Sequence, residues 1–184
     1  MSAQPQNLPE LNPHRPRRGF TLLEVALAVL VLLLSLVFAL TVAGRVRQRR
    51  NCDNYIRDLR IFSAAFAGYY QQHKSWPPSS SAESALPPDL ARTLRATPWF
   101  AGSRFGGNYG WIAPDPAAGR GPGHAWGDRG ALTLTAFSPR PPLTLSAADL
   151  LYIDRQLDDA NLATGRFRTG FNGWPVYLVE AAPR

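Results

Sequence analysis

The 184-residue sequence has few of the residue types that build disulfides, metal centres and catalytic sites. It has a single cysteine, Cys52, so no disulfide can form within the chain, and we expect this residue to be buried as a packing residue. Its three histidines, His14, His73 and His124, are far apart. Gly-x-Ser-x-Gly, Walker, His-Glu-x-x-His and paired-cysteine zinc motifs are missing from the sequence. The sequence therefore argues against an enzyme, and we predict no catalytic residues.

Charged residues are almost missing from residues 20–43, which are apolar except for a few small polar residues and Glu24. A helix of this length crosses a hydrocarbon core of about 30 Å. A carboxylate inside such a segment costs a few kcal/mol on insertion scales, so Glu24 is a candidate functional residue that needs a partner. A secretory signal peptide would have a shorter apolar core. A plain membrane anchor fits the length but does not explain Glu24, and both interpretations remain alternatives.

Acidic residues are also in deficit, with 13 Asp and Glu against 20 Lys and Arg. Much of the excess positive charge lies before the apolar run or in residues 45–60, directly after it. Cations near a membrane attract anionic lipid head groups by about 1 kcal/mol each. The alternation of aromatic and basic residues that is typical of nucleic-acid-binding modules is missing. We therefore expect contacts with membrane lipids and no nucleic-acid partner.

The residues at the start of the apolar run carry the most specific motif. Arg17 to Val25 read R-R-G-F-T-L-L-E-V, which resembles the cleavage and methylation site of the type IV pilin and type II secretion pseudopilin family. The resemblance implies that a membrane-embedded prepilin peptidase cuts after Gly19 and methylates the new amino terminus at Phe20. It also implies that Glu24 meets the positive N-terminus of a neighbouring subunit during assembly, which would supply the missing partner.

The same resemblance implies an organisation in three parts. These are a leader peptide at residues 1–19, a transmembrane and assembly helix at residues 20–44, and a periplasmic pilin-like globular domain at residues 45–184. Arginines flank both ends of the apolar run, so charge counting leaves the orientation open. The resemblance implies a single-pass protein of the inner membrane whose C-terminal domain is periplasmic, with the assembled form also in the periplasm.

Apolar residues continue at helical spacing beyond the apolar run, so we predict one helix over residues 20–72. In its second half the apolar positions should pack on a sheet, with Arg and Asp on the opposite face. The sequence Trp76-Pro77-Pro78 should follow the end of the helix, because proline disfavours a helical conformation before it. The expected packing positions are Val46, Cys52, Tyr55, Ile56, Leu59, Phe62, Phe66, Tyr69 and Tyr70.

The rest of the chain predicts short helices and strands. We expect a serine-rich loop at residues 79–84, a helix at residues 89–96, and strands at residues 108–113, 131–137 and 176–179. Residues 114–130 contain several Gly and Pro and predict a long loop. Ser146 and Asp149 have the spacing of a capping box, which predicts a helix at residues 147–157. One long helix followed by strands favours an α+β fold, in which the helix covers a small antiparallel sheet, and the pilin resemblance implies the same.

Two side-chain sets remain as candidate ligand sites. Asp154, Asp158 and Asp159 offer oxygen ligands that suit calcium, but helix-end acids that face solvent or pair with Arg155 and Arg166 are the simpler interpretation. We therefore predict no cofactor and keep calcium as the weak alternative. The five tryptophans are better explained as core residues than as a sugar or peptide surface. They are Trp76, Trp99, Trp111, Trp126 and Trp174.

These observations favour a structural role over a catalytic one. The resemblance implies a pseudopilin of a type II secretion-type pseudopilus, with prepilin peptidase, other pseudopilin subunits and an inner-membrane assembly platform as partners. Two alternatives remain open. One is a minor pilin of a type IV pilus or DNA-uptake fibre, and the other is a non-assembling, membrane-anchored binding domain.

Overall fold

The computed structural model describes residues 21–81, 86–114, 129–136, 142–170 and 173–181. The chain divides into two compact units, residues 1–43 and residues 44–184. The described elements, in chain order, are α1 (Leu22–His73), β1 (Ser80–Ser81), α2 (Pro88–Leu94), a 3-10 helix (Pro98–Phe100), β2 (Asn108–Ile112), β3 (Gly130–Thr135), α3 (Ala147–Leu157), β4 (Phe167–Thr169) and β5 (Pro175–Val179).

The long helix α1 confirms the predicted continuation of the apolar run into an amphipathic helix, although its predicted first residue, Phe20, lies outside the described residues. It ends at His73, and Lys74 follows with a φ of 56°. The backbone N–H of Lys74 donates to the Tyr70 carbonyl at 2.7 Å. A left-handed residue just past the last turn is a common way for a helix to end. The prolines predicted to prevent continuation come directly afterwards.

Five antiparallel strands form one sheet in the order β1-β2-β3-β5-β4. Its three inner strands, β2, β3 and β5, are the three that the sequence predicted. The two edge strands were not predicted. The expectation that residues 79–84 form only a loop is wrong at Ser80 and Ser81, which pair with Trp111 and Gly110. A strand of two or three residues is too short to show an alternation of apolar and polar side chains, so the sequence does not predict it. Whether such a segment forms a strand depends on pairing with a neighbouring strand.

The main core lies between one face of α1 and one face of the sheet. Phe66 stacks on Trp111 with ring centroids 4.1 Å apart, and Phe62 meets Tyr109 edge-on at 4.7 Å. The fully buried Trp99 closes the same cluster 5.1 Å from Phe62. Aromatic pairs in these geometries contribute about 0.5–1.5 kcal/mol each beyond the area that they bury. The α+β arrangement of a long helix on a small antiparallel sheet is thus pilin-like.

Most of the predicted packing positions on α1 are buried, but two expectations are wrong. Val46 is 45 % exposed and does not belong to the core. Asp58, expected on the solvent side with the other charged residues, is only 7 % exposed and lies in the buried face. The tryptophan prediction is confirmed for Trp99 and Trp111, and Trp76 packs against the core; Trp174 is half-buried, and Trp126 lies outside the described residues.

Strands β3 and β5 alternate between two clusters, as a pleated sheet requires. Leu132 and Leu134 of β3 belong to the main core, whereas Ala131 belongs to a second cluster with Val176 and Leu178. At the start of β3, a Cβ on Gly130 would overlap the Trp111 ring. Glycine at this position therefore lets the strand approach the tryptophan closely.

Candidate functional sites

The apolar half of α1, described by itself, has its hydrophobic side chains on the outside. The large apolar residues from Leu22 to Val42 are between 41 % and 89 % exposed. This stretch is long and apolar enough to cross a membrane, and none of it is buried. A helix that is apolar on all sides is suited to a lipid environment or to other helices of the same kind.

The hydroxyl groups within this stretch are hydrogen-bonded inside the helix. Ser35 Oγ donates to the Val31 carbonyl at 2.8 Å, and Thr41 Oγ1 donates to the Phe38 carbonyl at 2.8 Å. Such back-bonding satisfies the hydroxyl without an external partner, which a hydrocarbon environment requires. The small polar residues therefore do not prevent insertion of this half of α1.

Glu24 forms a capping box with Thr21 at the start of α1. Its carboxylate accepts hydrogen bonds from the Thr21 N–H at 3.0 Å and the Thr21 hydroxyl at 3.2 Å, and the Glu24 N–H donates to Thr21 Oγ1 at 3.2 Å. Within the described parts of the chain, no ion pair involves Glu24. The predicted cleavage residues, Gly19 and Phe20, lie outside the described residues. The capping box orients the carboxylate next to the first turn, where an incoming cation could reach it.

A second polar group, around Cys52, is part of the packing between α1 and α3. The predicted capping box of α3 is present, with Ser146 and Asp149 bonded in both directions. Asp149 also accepts from Gln48 Nε2 at 2.8 Å and from Cys52 Sγ at 3.6 Å. Burial and the Asp149 charge raise the pKa of Cys52 to about 12. The thiol therefore stays protonated and unreactive, which confirms its role as a buried packing residue.

The buried Asp58 carboxylate is held by a tyrosine of the sheet. The Tyr109 hydroxyl donates to Asp58 Oδ2 at 3.0 Å, whereas Oδ1 has no hydrogen-bond partner. Burial raises the pKa of Asp58, although the Tyr109 hydrogen bond and the positive charges of Arg57 and Arg104 act in the opposite direction. Because Asp58 is buried and bonded to Tyr109, we assign it to the link between α1 and β2.

The aspartate cluster is closer together than the sequence suggested. One carboxylate oxygen each from Asp154, Asp158 and Asp159 lies within 4.8 Å of the others. The expectation that Asp154 faces solvent or pairs with Arg155 and Arg166 is wrong. Asp154 is 0 % exposed, and neither of its oxygens has a hydrogen-bond partner. Asp154 belongs to the side of α3 that packs inward, together with the buried Leu150 and Ile153.

Burial and charge act together on the Asp154 carboxylate. Burial raises its pKa first, followed by the negative charges of Asp159 and Asp158. The backbone N–H of Asn161 acts in the opposite direction and lowers this pKa, although it does not reach hydrogen-bonding geometry with Asp154. The pKa of Asp159 is instead lowered, chiefly by the hydrogen bond that Thr164 Oγ1 donates at 2.7 Å. In this cluster the charged form of Asp154 is therefore disfavoured, whereas the charged form of Asp159 is favoured.

Comparison with known proteins gives a match at the start of the chain. A family model described as the prokaryotic N-terminal methylation motif matches residues 14–40. No curated protein and no solved structure matches the chain significantly. The matched residues contain the predicted cleavage site and the first part of the exposed apolar helix. The family model covers residues 14–40 only. Together with the membrane-capable helix, the match supports a type IV pilin-like prepilin, and the motif implies processing by prepilin peptidase and assembly with other pilin subunits.

Proposed function

We propose that this prepilin is a pseudopilin, a structural subunit of a type II secretion-type pseudopilus. It would be stored in the inner membrane with residues 45–184 in the periplasm, and it would enter the pseudopilus through an inner-membrane assembly platform. The observation that carries the proposal is the methylation motif over residues 14–40, continued by an apolar half-helix with exposed side chains. No catalytic role is proposed.

In this proposal the mature chain begins at Phe20, and Glu24 binds the amino group of Phe20 in a neighbouring subunit. The Glu24 carboxylate is exposed at the first turn of α1 and has only Thr21 as a partner among the described residues. A carboxylate in a membrane segment is destabilised unless a cation joins it. An amine at a fixed position on the next subunit would therefore both neutralise Glu24 and set the axial register.

The cleavage step is tested by intact-mass analysis of the protein extracted from the membrane. We expect a chain that begins at Phe20 and carries one added methyl group. Gly19→Leu should leave only the full-length precursor, because a subsite that accepts glycine has no room for a larger side chain. Gly44→Leu is the matched control, since a Cβ at Gly44 meets nothing within 4 Å, and it should be processed normally. A mature protein that begins elsewhere would rule out the assigned site.

The assembly step is tested by Glu24→Gln in a strain with no other copy of the gene. We expect normal cleavage, accumulation of mature protein in the inner membrane and at least a tenfold loss of assembled fibre, as a lost buried charge pair of a few kcal/mol predicts. Glu180→Gln, which removes an exposed carboxylate from the globular domain, should assemble normally. Wild-type fibre levels from Glu24→Gln would support the plain membrane-anchor alternative.

The type of assembly is tested by deleting the gene. A pseudopilin is needed for export of folded proteins across the outer membrane, so we expect extracellular proteins to be retained in the periplasm while surface fibres remain. Loss of surface fibres or of DNA uptake with normal protein export would instead identify a minor pilin.

A further inference from the structure

Four exposed arginines lie close together on α1, directly after the apolar run. We call them the arginine collar, and they are Arg45, Arg47, Arg49 and Arg50. Two pairs of them are three or four residues apart, so neighbouring positive charges repel each other on the helix surface. Asp53 is the one acidic residue between residues 44 and 57. The collar is therefore a concentrated positive charge that an anionic partner would stabilise.

The described part of the chain offers the collar few partners. Arg45, Arg47 and Arg50 form no ion pair and no hydrogen bond through their side chains among the described residues. The Arg49 guanidinium lies over the Tyr152 ring of α3, 5.5 Å from its centroid. The Tyr152 contact leaves the charge of Arg49 in place, because a ring carries no net charge. At least three of the four guanidinium groups are thus available to an external anion.

The collar lies mainly on the side of α1 away from its contact with α3. At about 100° per residue, the four arginines fall within about 200° of the helix circumference. Gln48 and Cys52 lie in the remaining sector, and both donate hydrogen bonds to Asp149 of α3. Val46 lies between the arginines and is 45 % exposed. This side of the helix therefore presents cationic groups around one apolar side chain, which explains why Val46 is not a core residue.

The collar has the position and length of a segment inside the head-group layer of a membrane. It begins two residues after Ala43, the last residue of the apolar run, in the same helix. The half-helix before it is long and apolar enough to cross the hydrocarbon core. Residues 45–50 extend over about 8 Å of helix, and the head-group layer on each side of a bilayer is about 5–8 Å thick. The alkyl part of an arginine can stay beside apolar surface while its guanidinium reaches the phosphates.

We propose that the arginine collar binds the phosphate groups of anionic phospholipids. A guanidinium donates two parallel hydrogen bonds to a phosphate, and several arginines together favour a head group with net negative charge. Val46 and the adjoining apolar half-helix favour a membrane over a soluble anion or a nucleic acid, because both need an apolar layer beside the charges. Such binding would fix the depth of α1 and oppose withdrawal of the subunit before assembly. The proposal rests on the membrane-anchored state in the proposed function, and not on the type of fibre.

The proposal is tested by native mass spectrometry of the full-length protein in a non-ionic detergent. The protein is mixed with equal amounts of phosphatidylglycerol and phosphatidylcholine that have the same acyl chains, so that binding to the apolar half-helix is equal for both. Each cation near an anionic membrane contributes about a fivefold factor in binding. We therefore expect phosphatidylglycerol to be retained at least tenfold over phosphatidylcholine. Equal retention would overturn the proposal. The measurement needs neither cleavage after Gly19 nor fibre formation, so it fails or succeeds independently of the assembly steps.

Two variants test whether the collar carries the preference. Arg45→Gln, Arg47→Gln and Arg50→Gln together remove the three unpartnered charges and leave Arg49 on Tyr152. The preference for phosphatidylglycerol should fall at least fivefold, with an unchanged Tm because these residues are exposed. The corresponding triple change to lysine keeps the charges and should retain at least a fivefold preference. A triple glutamine variant with the wild-type preference would rule out the collar as the site.

A matched control removes three positive charges elsewhere. Arg92→Gln, Arg95→Gln and Arg155→Gln together change exposed residues on or next to α2 and α3 and should leave the preference unchanged. An equal loss in this control would assign the preference to net charge and contradict a specific site. Duplex DNA is the alternative anion. If labelled DNA binds through the collar by fluorescence anisotropy and displaces phosphatidylglycerol at the same ionic strength, the assignment to lipid is wrong.

Discussion

The two halves of α1 belong to one helix but have opposite environments. Residues 22–43 are apolar on all sides, and their large side chains are exposed, whereas the second half buries one face with Leu59, Phe62 and Phe66 at 0 % exposure. The first half has almost no charge, whereas the second has several arginines and Asp53 on its exposed side. Both halves thus form one helix, but only the second half contributes buried side chains to the described core of the globular domain.

Each half also contains one acidic residue among apolar ones, and the two are satisfied differently. Asp58 has its partner, Tyr109, within the same chain. Glu24 has only the capping interaction with Thr21 among the described residues. An acid whose partner is internal stabilises the subunit that contains it, whereas an acid that still needs a partner is suited to contacts between subunits. This difference is the physical basis for the assembly role proposed for Glu24.

The comparison is tested most strongly by removing one large side chain from each half. Phe66→Ala should lower the free energy of unfolding by about 3–5 kcal/mol, because it leaves a cavity beside Trp111. Phe38→Ala, at a residue that is 71 % exposed, should change it by less than about 0.5 kcal/mol. Denaturant unfolding followed by tryptophan fluorescence measures both. Equal losses in the free energy of unfolding from the two substitutions would mean that both halves of α1 contribute equally to the stability of the globular domain.

The internal partner of Asp58 is tested by Tyr109→Phe. This change leaves the buried carboxylate without its hydrogen bond, and we expect a loss of about 1.5–3 kcal/mol, the usual range for hydrogen bonds to charged groups. Tyr152→Phe is the matched control, because its hydroxyl donates to the exposed Asp53 at 2.8 Å and should contribute less than about 0.5 kcal/mol. If both tyrosines gave the same small loss, Asp58 would not depend on Tyr109.

A smaller effect is expected from the helix cap that positions α3 against α1. Ser146→Ala removes the hydroxyl that accepts from the Asp149 N–H at 3.2 Å, and it should cost about 1 kcal/mol. Ser35→Ala, in the apolar half of α1, removes only a back-bonded hydroxyl and should leave the unfolding of the globular domain unchanged. Thermal and denaturant unfolding of both variants give the comparison, and a neutral Ser146→Ala would contradict the energetic role of the cap.

The charge on Asp58 should produce a pH dependence that Asp58→Asn lacks. Burial raises the pKa of Asp58 in the folded state, so the folded protein binds this proton more tightly than the unfolded chain. Protonation of Asp58 therefore stabilises the folded wild-type protein as the pH falls. The gain begins near the raised pKa of the folded state and is complete below 3.8, the ordinary pKa of the group. The stability of Asp58→Asn relative to the wild type should be highest near neutral pH and should decline over that range. A constant difference across the range would contradict the raised pKa.

The smallest effect is expected from removing the first half of α1 altogether. Among the described residues, every buried member of the main core lies at or beyond Cys52, in the unit formed by residues 44–184. A fragment that begins at Arg45 should therefore be soluble, monomeric and folded, with a free energy of unfolding within about 0.5 kcal/mol of the full chain. Size-exclusion chromatography and denaturant unfolding test this. An aggregated or unfolded fragment would show that the globular domain needs the apolar half.

Local patterns in the sequence predicted a large part of the fold. Helix α3 has the predicted limits, residues 147–157, because Ser146 and Asp149 form the capping box through neighbouring groups. The helical spacing predicted the buried face from Cys52 to Phe66, and β-branched and aromatic residues indicated the three inner strands. Helix α2 spans Pro88–Leu94, within about two residues of the prediction. These features depend on residues close together in the chain, so they are visible before folding.

What the sequence alone could not give is the environment of particular acids and of the sheet edges. Asp58 has a partner 51 residues away and Asp154 is buried on the inner side of α3, while Ser80 becomes a strand because Trp111 lies beside it. The sequence by itself determined the prepilin motif, the apolar half-helix and the amphipathic half, because charge and hydrophobic period are local properties. Only the tertiary structure decided which carboxylates are buried and which lie together, because burial depends on contacts between distant parts of the chain.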